Sequence, residues 1–231
     1  MSPRPLVGPG DLESTLSGHG GAAARIAAGL RDAILAGEYA PGDRVRQEEV
    51  AGRHGASRLP VREALRMLAA EGLVTLVANT GAWVSALEPA ECDELYRVRE
   101  RLEPLLLAMN VPLLTEDTAD ELDELAREME EAGDTEEFLA LDRRFHFATY
   151  AAATTITLGD SVTQLWNRTQ HYRRAFTRLF QSDGDRSAHY DHRLIVAAIR
   201  RRDAEEAERV LADHIRRTRL ALARHPEIFV R

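Results

Sequence analysis

Four residues in the C-terminal half of the chain have the types and spacing of a metal site. Asp142 and His146 are four residues apart in a segment of helical periodicity, so their side chains share one helix face. His192 and His214 are 22 residues apart, and midway between them residue 203 is an Asp with the sequence context of a helix N-cap. If two antiparallel helices are joined by a turn at residue 203, both imidazoles lie at the same height along the two helix axes. One Asp and three His suit a divalent metal ion.

Two other interpretations of these histidines stay open at this point. Any single one could be a partly buried polar residue with no ligand role. Alternatively, an Asp and three His that leave one coordination position open could form a hydrolytic metal site in an enzyme. Such an enzyme also needs a general base nearby, and no motif in the sequence identifies one.

The elements that would position these residues are helices. From Pro89 onward, apolar residues recur at spacings of three and four, and short polar turns separate the segments. Six or seven such segments predict an all-α bundle. Their apolar positions include Leu95/Val98/Leu102/Leu105, Leu122/Leu125/Met129, Phe138/Leu141/Phe145, Val162/Leu165/Trp166, Leu194/Ala198 and Val210/Leu211/Ile215.

A second set of chemically suitable residues lies in the N-terminal third. Arg58, Arg62 and Arg66 follow one another at spacings of four, and Ser57 is placed to cap their helix. Arginine can bind guanine edges or phosphate groups through paired hydrogen bonds. Three arginines on a helix could equally be an ordinary solvated face.

The surrounding pattern favours DNA recognition. An amphipathic segment at 22–37, a short helix at 47–54 and the helix from residue 58 precede two β-prone runs at 73–77 and 82–84. The apolar stripe of the third helix fixes its core face, at Val61, Ala64, Leu65 and Leu68. This order predicts a winged helix-turn-helix, whose third helix lies in the DNA major groove.

Charge differs between the two parts of the chain. The 231 residues carry a formal net charge of −8, which argues against indiscriminate binding to nucleic acid. Residues 24–85 contain 8 Arg and 7 acidic residues, whereas residues 91–224 contain 20 Arg and 27 acidic residues. All 30 basic residues are Arg, so chemistry that requires a lysine, such as a Schiff base, is excluded.

These observations predict a mainly α protein with two domains. We expect a disordered tail at 1–21, a winged helix-turn-helix at 22–85, a linker at 86–91 and an all-helical domain at 92–225. No apolar run approaches the roughly 18 residues of a membrane span, and the N-terminus lacks the apolar core of a signal peptide. We therefore expect a cytoplasmic protein with no membrane partner.

Residues 34–44, 56–68 and 79–84 together resemble the GntR family of bacterial regulators. The resemblance implies binding to double-stranded operator DNA by a homodimer. Glu48 stands where some members have a DNA-contacting Arg, so no contact is assigned to it. The residues that match the family's DNA-contacting positions are Ser57, Arg58, Arg62, Asn79, Thr80 and Gly81.

The helical part is similar to the FCD effector domain of the FadR branch of this family. The resemblance implies that one divalent ion, such as zinc, nickel or manganese, binds to Asp142, His146, His192 and His214. It also places Arg99 in the effector cavity, where it would suit a small organic acid. The alternative for Arg99 is a surface ion pair with Glu103, four residues along the same helix.

The expected function is that of a metabolite-responsive bacterial transcriptional regulator, a repressor rather than an enzyme. A DNA-binding protein with a purely structural metal is the main alternative. A metal-dependent hydrolase is less favoured, because hydrolysis does not require a winged helix.

Overall fold

The computed structural model describes residues 9–78 and 80–229, and the chain divides into two compact units between Ala86 and Leu87. The described part of the first unit contains three helices and a three-stranded antiparallel sheet. They occur along the chain as α1 (Pro9–Ala36), β1 (Arg44–Val45), α2 (Gln47–His54), α3 (Arg58–Ala70), β2 (Val74–Val77) and β3 (Gly81–Val84).

The core of the first unit confirms the predicted helix faces. The stripe on α3 is fully buried, with Val61, Ala64, Leu65 and Leu68 each at most 1% exposed. It packs against α1, whose Ile26, Leu30 and Ile34 belong to the same buried cluster. Burying one such aliphatic side chain contributes roughly 1.5–3 kcal/mol, so this stripe fixes which face of α3 remains in solvent.

Two glycines make the connections around α3. Gly55 ends α2 with φ of 58°, and Gly72 follows α3 with φ of 75°. Both angles lie in the left-handed region, which glycine adopts without steric cost. The chain can therefore reverse within two or three residues on each side of α3.

The sheet is the wing, and it contains one strand more than the sequence predicted. β3 lies in the centre and pairs with β2 on one side and β1 on the other. β1 pairs Arg44 with Trp83 and Val45 with Ala82. A strand of two residues is too short to show an alternating pattern, so the periodicity of the sequence could not reveal it.

The described part of the second unit is a bundle of six long helices followed by a short 3₁₀ helix at Pro226–Phe229. The helices are α4 (Pro89–Asn110), α5 (Glu116–Glu131), α6 (Thr135–Tyr150), α7 (Leu158–Asp183), α8 (Ser187–Arg200) and α9 (Ala204–Leu222). α4 packs most extensively on α9, and α5 packs on α6 and α8.

Side-chain caps set the beginnings of three of these helices. Thr115, Asp134 and Asp203 each accept a hydrogen bond from a backbone N–H three residues along. The predicted cap at Asp203 is confirmed, and Arg202 before it has φ of 58°, so α8 and α9 are joined by a tight turn. This turn brings His192 and His214 level on neighbouring antiparallel helices, as their spacing indicated.

The element ends differ from the expected boundaries in three places. α1 begins at Pro9, not at residue 22, while residues 1–8 lie outside the described residues. Extending a helix backwards needs no new nucleus, so it can continue through a segment without amphipathic periodicity. The expected linker of 86–91 overlaps α4, which begins at Pro89, and the helical unit continues beyond residue 225 to Phe229.

In the described part of the chain, none of the helices has the length and apolarity of a membrane span.

Candidate DNA-binding helix and metal centre

The solvent face of α3 carries the predicted arginines in three different environments. Arg58 Nη2 lies 3.1 Å from Glu48 Oε1, and Arg66 Nη1 lies 2.5 Å from Glu63 Oε1. Arg62 is exposed and makes no ion pair among the described residues. Ser57 is the N-cap residue of α3, but its hydroxyl makes no capping hydrogen bond. The hydroxyl of Ser57 and the Arg62 guanidinium are therefore both accessible to a ligand.

The tip of the wing is braced by an arginine that sequence reasoning did not single out. Arg44 Nη2 donates to the carbonyl oxygen of Thr80 at 2.8 Å, and the Arg44 guanidinium lies 5.7 Å from the centroid of the Trp83 ring. Thr80 Oγ1 donates to the carbonyl of Val77, and Gly81 has φ of 132°. Asn79 lies outside the described residues. Arg44 and Thr80 are 36 residues apart, so only the fold brings them together.

The four predicted metal ligands converge in the helical unit. Asp142 and His146 lie on α6, His192 on α8 and His214 on α9, and one ligand atom from each lies within 4.8 Å of all the others. Asp142 Oδ1 is 3.6 Å from His146 Nε2 and 3.3 Å from His192 Nε2. The three imidazole centroids are 5.0–5.3 Å apart. Nitrogen and oxygen ligands of this kind suit zinc, nickel or manganese.

Burial keeps these imidazoles in the protonation state that a metal requires. It lowers the pKa of His146 to about 4 and also lowers the pKa values of His192 and His214. Burial alone would raise the pKa of Asp142, but attraction to Arg173 and His146 holds that pKa well below its usual value. Near neutral pH the cluster therefore offers three neutral imidazoles and one carboxylate.

The cluster also contains polar atoms that its protein surroundings leave unsatisfied. His192 is fully buried, and neither of its ring nitrogens makes a hydrogen bond of good geometry among the described residues, although Nε2 lies 3.3 Å from Asp142 Oδ1. His146 Nδ1 likewise makes no hydrogen bond among the described residues. A buried polar atom without a partner costs about 1–3 kcal/mol, so a bound cation would remove a penalty that the bare cluster carries. The donor set thus fits a divalent ion.

One oxygen of Asp142 is occupied by a neighbouring arginine. Arg173 Nη2 donates to Asp142 Oδ2, and the Arg173 guanidinium lies 3.8 Å from the centroid of the Trp166 ring. The other oxygen, Oδ1, faces the histidines. Arg173 therefore neutralises the buried carboxylate and fixes which of its oxygens points into the cluster.

A cavity of about 50 Å³ borders the cluster, and Arg99 lies on its wall with Asp142, His146, Trp166, Arg173 and His214. Arg99 Nε donates to Glu103 Oε1 at 2.5 Å, and Nη1 donates to Thr169 Oγ1 at 2.9 Å. The ion pair considered in the sequence is thus present, but it is buried rather than exposed, with Glu103 0% accessible. Arg99 both pairs with Glu103 and lines the cavity.

Comparison with known proteins identifies both units. Residues 22–84 match the bacterial regulatory proteins of the gntR family. Residues 94–217, more than half of the chain, match the FCD domain. The chain belongs to the GntR family. It is a bacterial transcriptional regulator with an FCD domain, not an enzyme, and regulators of this family bind operator DNA.

Several relatives are similar to this GntR regulator over most of its length. The Nta operon transcriptional regulator of Aminobacter aminovorans is 28% identical over 78% of this chain and 84% of its own length. The probable D-xylose utilization operon transcriptional repressor of Paenarthrobacter nicotinovorans is 31% identical over 82% and 85%. The solved structure of Escherichia coli McbR/YncC has a TM-score of 0.77 at 26% identity, covering 88% of this chain and 98% of that one.

Two carboxylates in the FCD domain make polar contacts with predicted site residues, although the sequence did not identify either carboxylate in that role. Glu103 Oε2 accepts hydrogen bonds from Tyr150 Oη at 3.0 Å and Trp166 Nε1 at 2.8 Å, in addition to its pair with Arg99. Asp191 contacts His214 from the neighbouring helix. Asp191 directly precedes a ligand candidate in the sequence, which was the one available signal. Glu103 had appeared only as a surface partner of Arg99.

Proposed function

We propose that this GntR-family chain is a metabolite-responsive repressor whose FCD domain holds one divalent metal ion and a small carboxylate effector. The observation that carries the proposal is the convergence of Asp142, His146, His192 and His214 beside a cavity lined by Arg99. A metal ion there would supply a positive centre that coordinates a carboxylate oxygen. Several relatives are named as operon regulators or as transcriptional repressors, which supports the repressor assignment.

The charges around the cavity support an anionic effector. Arg99 is neutralised by Glu103, and Arg173 by Asp142, so the buried side chains already balance one another. A divalent ion would add positive charge to a buried environment, where uncompensated charge is costly. A carboxylate would offset part of that charge, and the guanidinium of Arg99 would orient it.

We also propose that the repressor acts as a homodimer. One face of α4 carries a stripe of exposed apolar side chains: Val98, Leu105 and Met109 are 39–46% exposed. Their spacings of seven and four place them on one side of the helix. A second copy of the same stripe would cover this surface, and two-fold symmetry would match a palindromic operator.

The proposal is tested by measuring operator affinity and thermal stability together. An operator is selected from random DNA, and its affinity is measured with chelated and metal-loaded protein in the presence of acetate, lactate, succinate or citrate. We expect at least one acid to raise the melting temperature and to change operator affinity only when metal is loaded. A metal that stabilises the protein while no acid alters stability or DNA affinity would contradict the sensor role and favour a purely structural ion.

A further inference from the structure

Asp191 lies at the outer edge of the cluster formed by Asp142, His146, His192 and His214. It is on α8 directly before His192, is 7% exposed, and does not belong to the cluster itself. Its Oδ2 lies 3.1 Å from Nδ1 of His214 on α9. This carboxylate, which is not one of the four cluster residues, therefore contacts a candidate ligand directly.

The contact distinguishes His214 from the other two imidazoles. In the described part of the chain, Nδ1 of His146 and Nδ1 of His192 have no hydrogen-bond partner, whereas Nδ1 of His214 faces a carboxylate. A neutral imidazole carries one N–H and one lone pair. An acceptor at Nδ1 favours the tautomer with the proton on Nδ1, which leaves the lone pair on Nε2.

A second contact holds Asp191 in place. Arg217, three residues beyond His214 on α9, donates to the same Oδ2 of Asp191. Asp191, His214 and Arg217 also line a second cavity of about 350 Å³, adjoining the first. The carboxylate is thus fixed from α9 at two points, which restricts rotation of the His214 ring.

We propose that Asp191 is a positioning residue that sets the tautomer and orientation of His214 before any metal binds. The proposal rests on the metal-binding function proposed above, but the tautomer exists in the metal-free protein. Outer carboxylates that orient a ligating histidine typically change metal affinity by about 10–100-fold when they are removed. Asp191 accordingly raises metal affinity without being a ligand.

The matched pair of variants is Asp191→Ala and Asp213→Ala. Asp213 is an exposed carboxylate adjacent to His214 in the sequence, and it makes no ion pair among the described residues. Long-range ¹H–¹⁵N correlation spectra of chelated, metal-free protein report the tautomer of His214. We expect the Nδ1–H form in the wild type and in Asp213→Ala, and a mixture of tautomers in Asp191→Ala.

Metal titration gives the second measurement. We expect Asp191→Ala to bind Zn²⁺ about 10–100-fold more weakly than the wild type, Asp213→Ala to match the wild type, and Asp191→Asn, which retains an acceptor oxygen, to recover part of the loss. If circular dichroism shows that Asp191→Ala is unfolded, the role of Asp191 is tested by comparing the His214 tautomer and the Zn²⁺ affinity of Asp191→Asn with those of the wild type.

Two results would overturn the role of Asp191: an Nε2–H tautomer of His214 in the wild type, or tautomer and affinity in the Asp191 variants equal to those of Asp213→Ala. A wild type that shows the Nδ1–H tautomer but binds no Zn²⁺, Ni²⁺ or Mn²⁺ would refute the proposed metal site while leaving the contact between Asp191 and His214 established. The two failures are therefore distinguishable.

Discussion

At the scale of single residues, the arginines of α3 differ in their contacts before DNA binds. Arg58 must leave Glu48 in order to contact a base or a phosphate, whereas Arg62 has no ion-pair partner to leave among the described residues. An exposed ion pair contributes only about 0–1 kcal/mol, so this difference modulates DNA affinity without abolishing it.

We predict that Arg58→Ala and Arg62→Ala each weaken binding to a selected operator by about 1–3 kcal/mol, with the larger loss for Arg62→Ala. Glu48→Gln should strengthen binding, because it frees Arg58 and removes a negative charge from the DNA-binding face. Fluorescence anisotropy at fixed salt measures these affinities, and Arg127→Ala, an exposed arginine of the other unit, is the control. Unchanged affinity in both α3 variants would exclude this face as the operator contact.

Glu103 illustrates a residue whose importance depends on burial. It is the counter-charge of buried Arg99 and also accepts from Tyr150 and Trp166. Breaking a buried ion pair from one side costs about 3–5 kcal/mol, because the remaining charge has no partner.

We therefore predict that Glu103→Gln lowers the free energy of unfolding by about 3–5 kcal/mol in chelated protein. Glu131→Gln, which removes an exposed partner of Arg127, should change it by less than about 1 kcal/mol. Urea unfolding followed by circular dichroism gives both values. Equal midpoints and slopes for the two variants would show that the Arg99–Glu103 pair does not stabilise the fold.

The sequence predicted the cluster residues better than their supporting contacts. An i, i+4 pair and two histidines equidistant from a helix cap are local patterns. The geometry of one helix, or of two helices joined by one turn, is enough to bring such residues together. Asp191 and Glu103 act across helices, over 23 residues to His214 and 63 residues to Trp166. Carboxylates are so common in this chain that such partners cannot be recognised before the helices are packed.

At the scale of elements, α4 has two functional faces. Its buried face supplies Arg99 and Glu103 to the cavity region, and its exposed face carries the apolar stripe of Val98, Leu105 and Met109. The positions of α2, α3 and the bundle helices followed from apolar periodicity. The beginning of α1 and the strand β1 did not, because neither has a periodic signal of its own.

The stripe gives a test of the homodimer. Leu105→Glu places a charge in the middle of the apolar face, so we predict that it shifts the sedimentation of the protein from dimer to monomer at micromolar concentration. Ile156→Glu is the control, because Ile156 is 95% exposed and does not lie on α4. A dimer that survives Leu105→Glu would place the interface elsewhere.

At the scale of the whole molecule, the connection between the two units is short. Only residues 85–88 lie between β3 and α4, and within the helical unit Tyr172 Oη accepts from the N–H of Leu87 at 2.6 Å and donates to its carbonyl at 3.0 Å. In the sequence, the charge balance and Pro89 predicted a linker at 86–91. The two hydrogen bonds between Tyr172 and the backbone of Leu87 could not be foreseen, because the two residues are 85 positions apart in the sequence.

We predict that thermolysin cuts native protein first between residues 85 and 88, before any site within 140–215. Tyr172→Phe removes two hydrogen bonds of about 1 kcal/mol each, so cleavage before Leu87 should be roughly thirtyfold faster in this variant. Tyr190→Phe, at an exposed tyrosine, should match the wild type. First cleavage inside the bundle would contradict this boundary.

The central claim, a metal ion held by three helices of the FCD domain, is tested most directly by metal content together with thermal stability. Elemental analysis and melting curves with and without chelator are compared for the wild type, His192→Ala, His214→Ala and His225→Ala, the last a partly exposed histidine outside the cluster. A metal at 100 times its Kd stabilises a folded protein by about 2.7 kcal/mol. We predict one divalent ion per chain and a chelator-induced fall in melting temperature for the wild type and His225→Ala, with both diminished or absent in the other two variants. Equal metal content and equal chelator response in all four proteins would contradict the account.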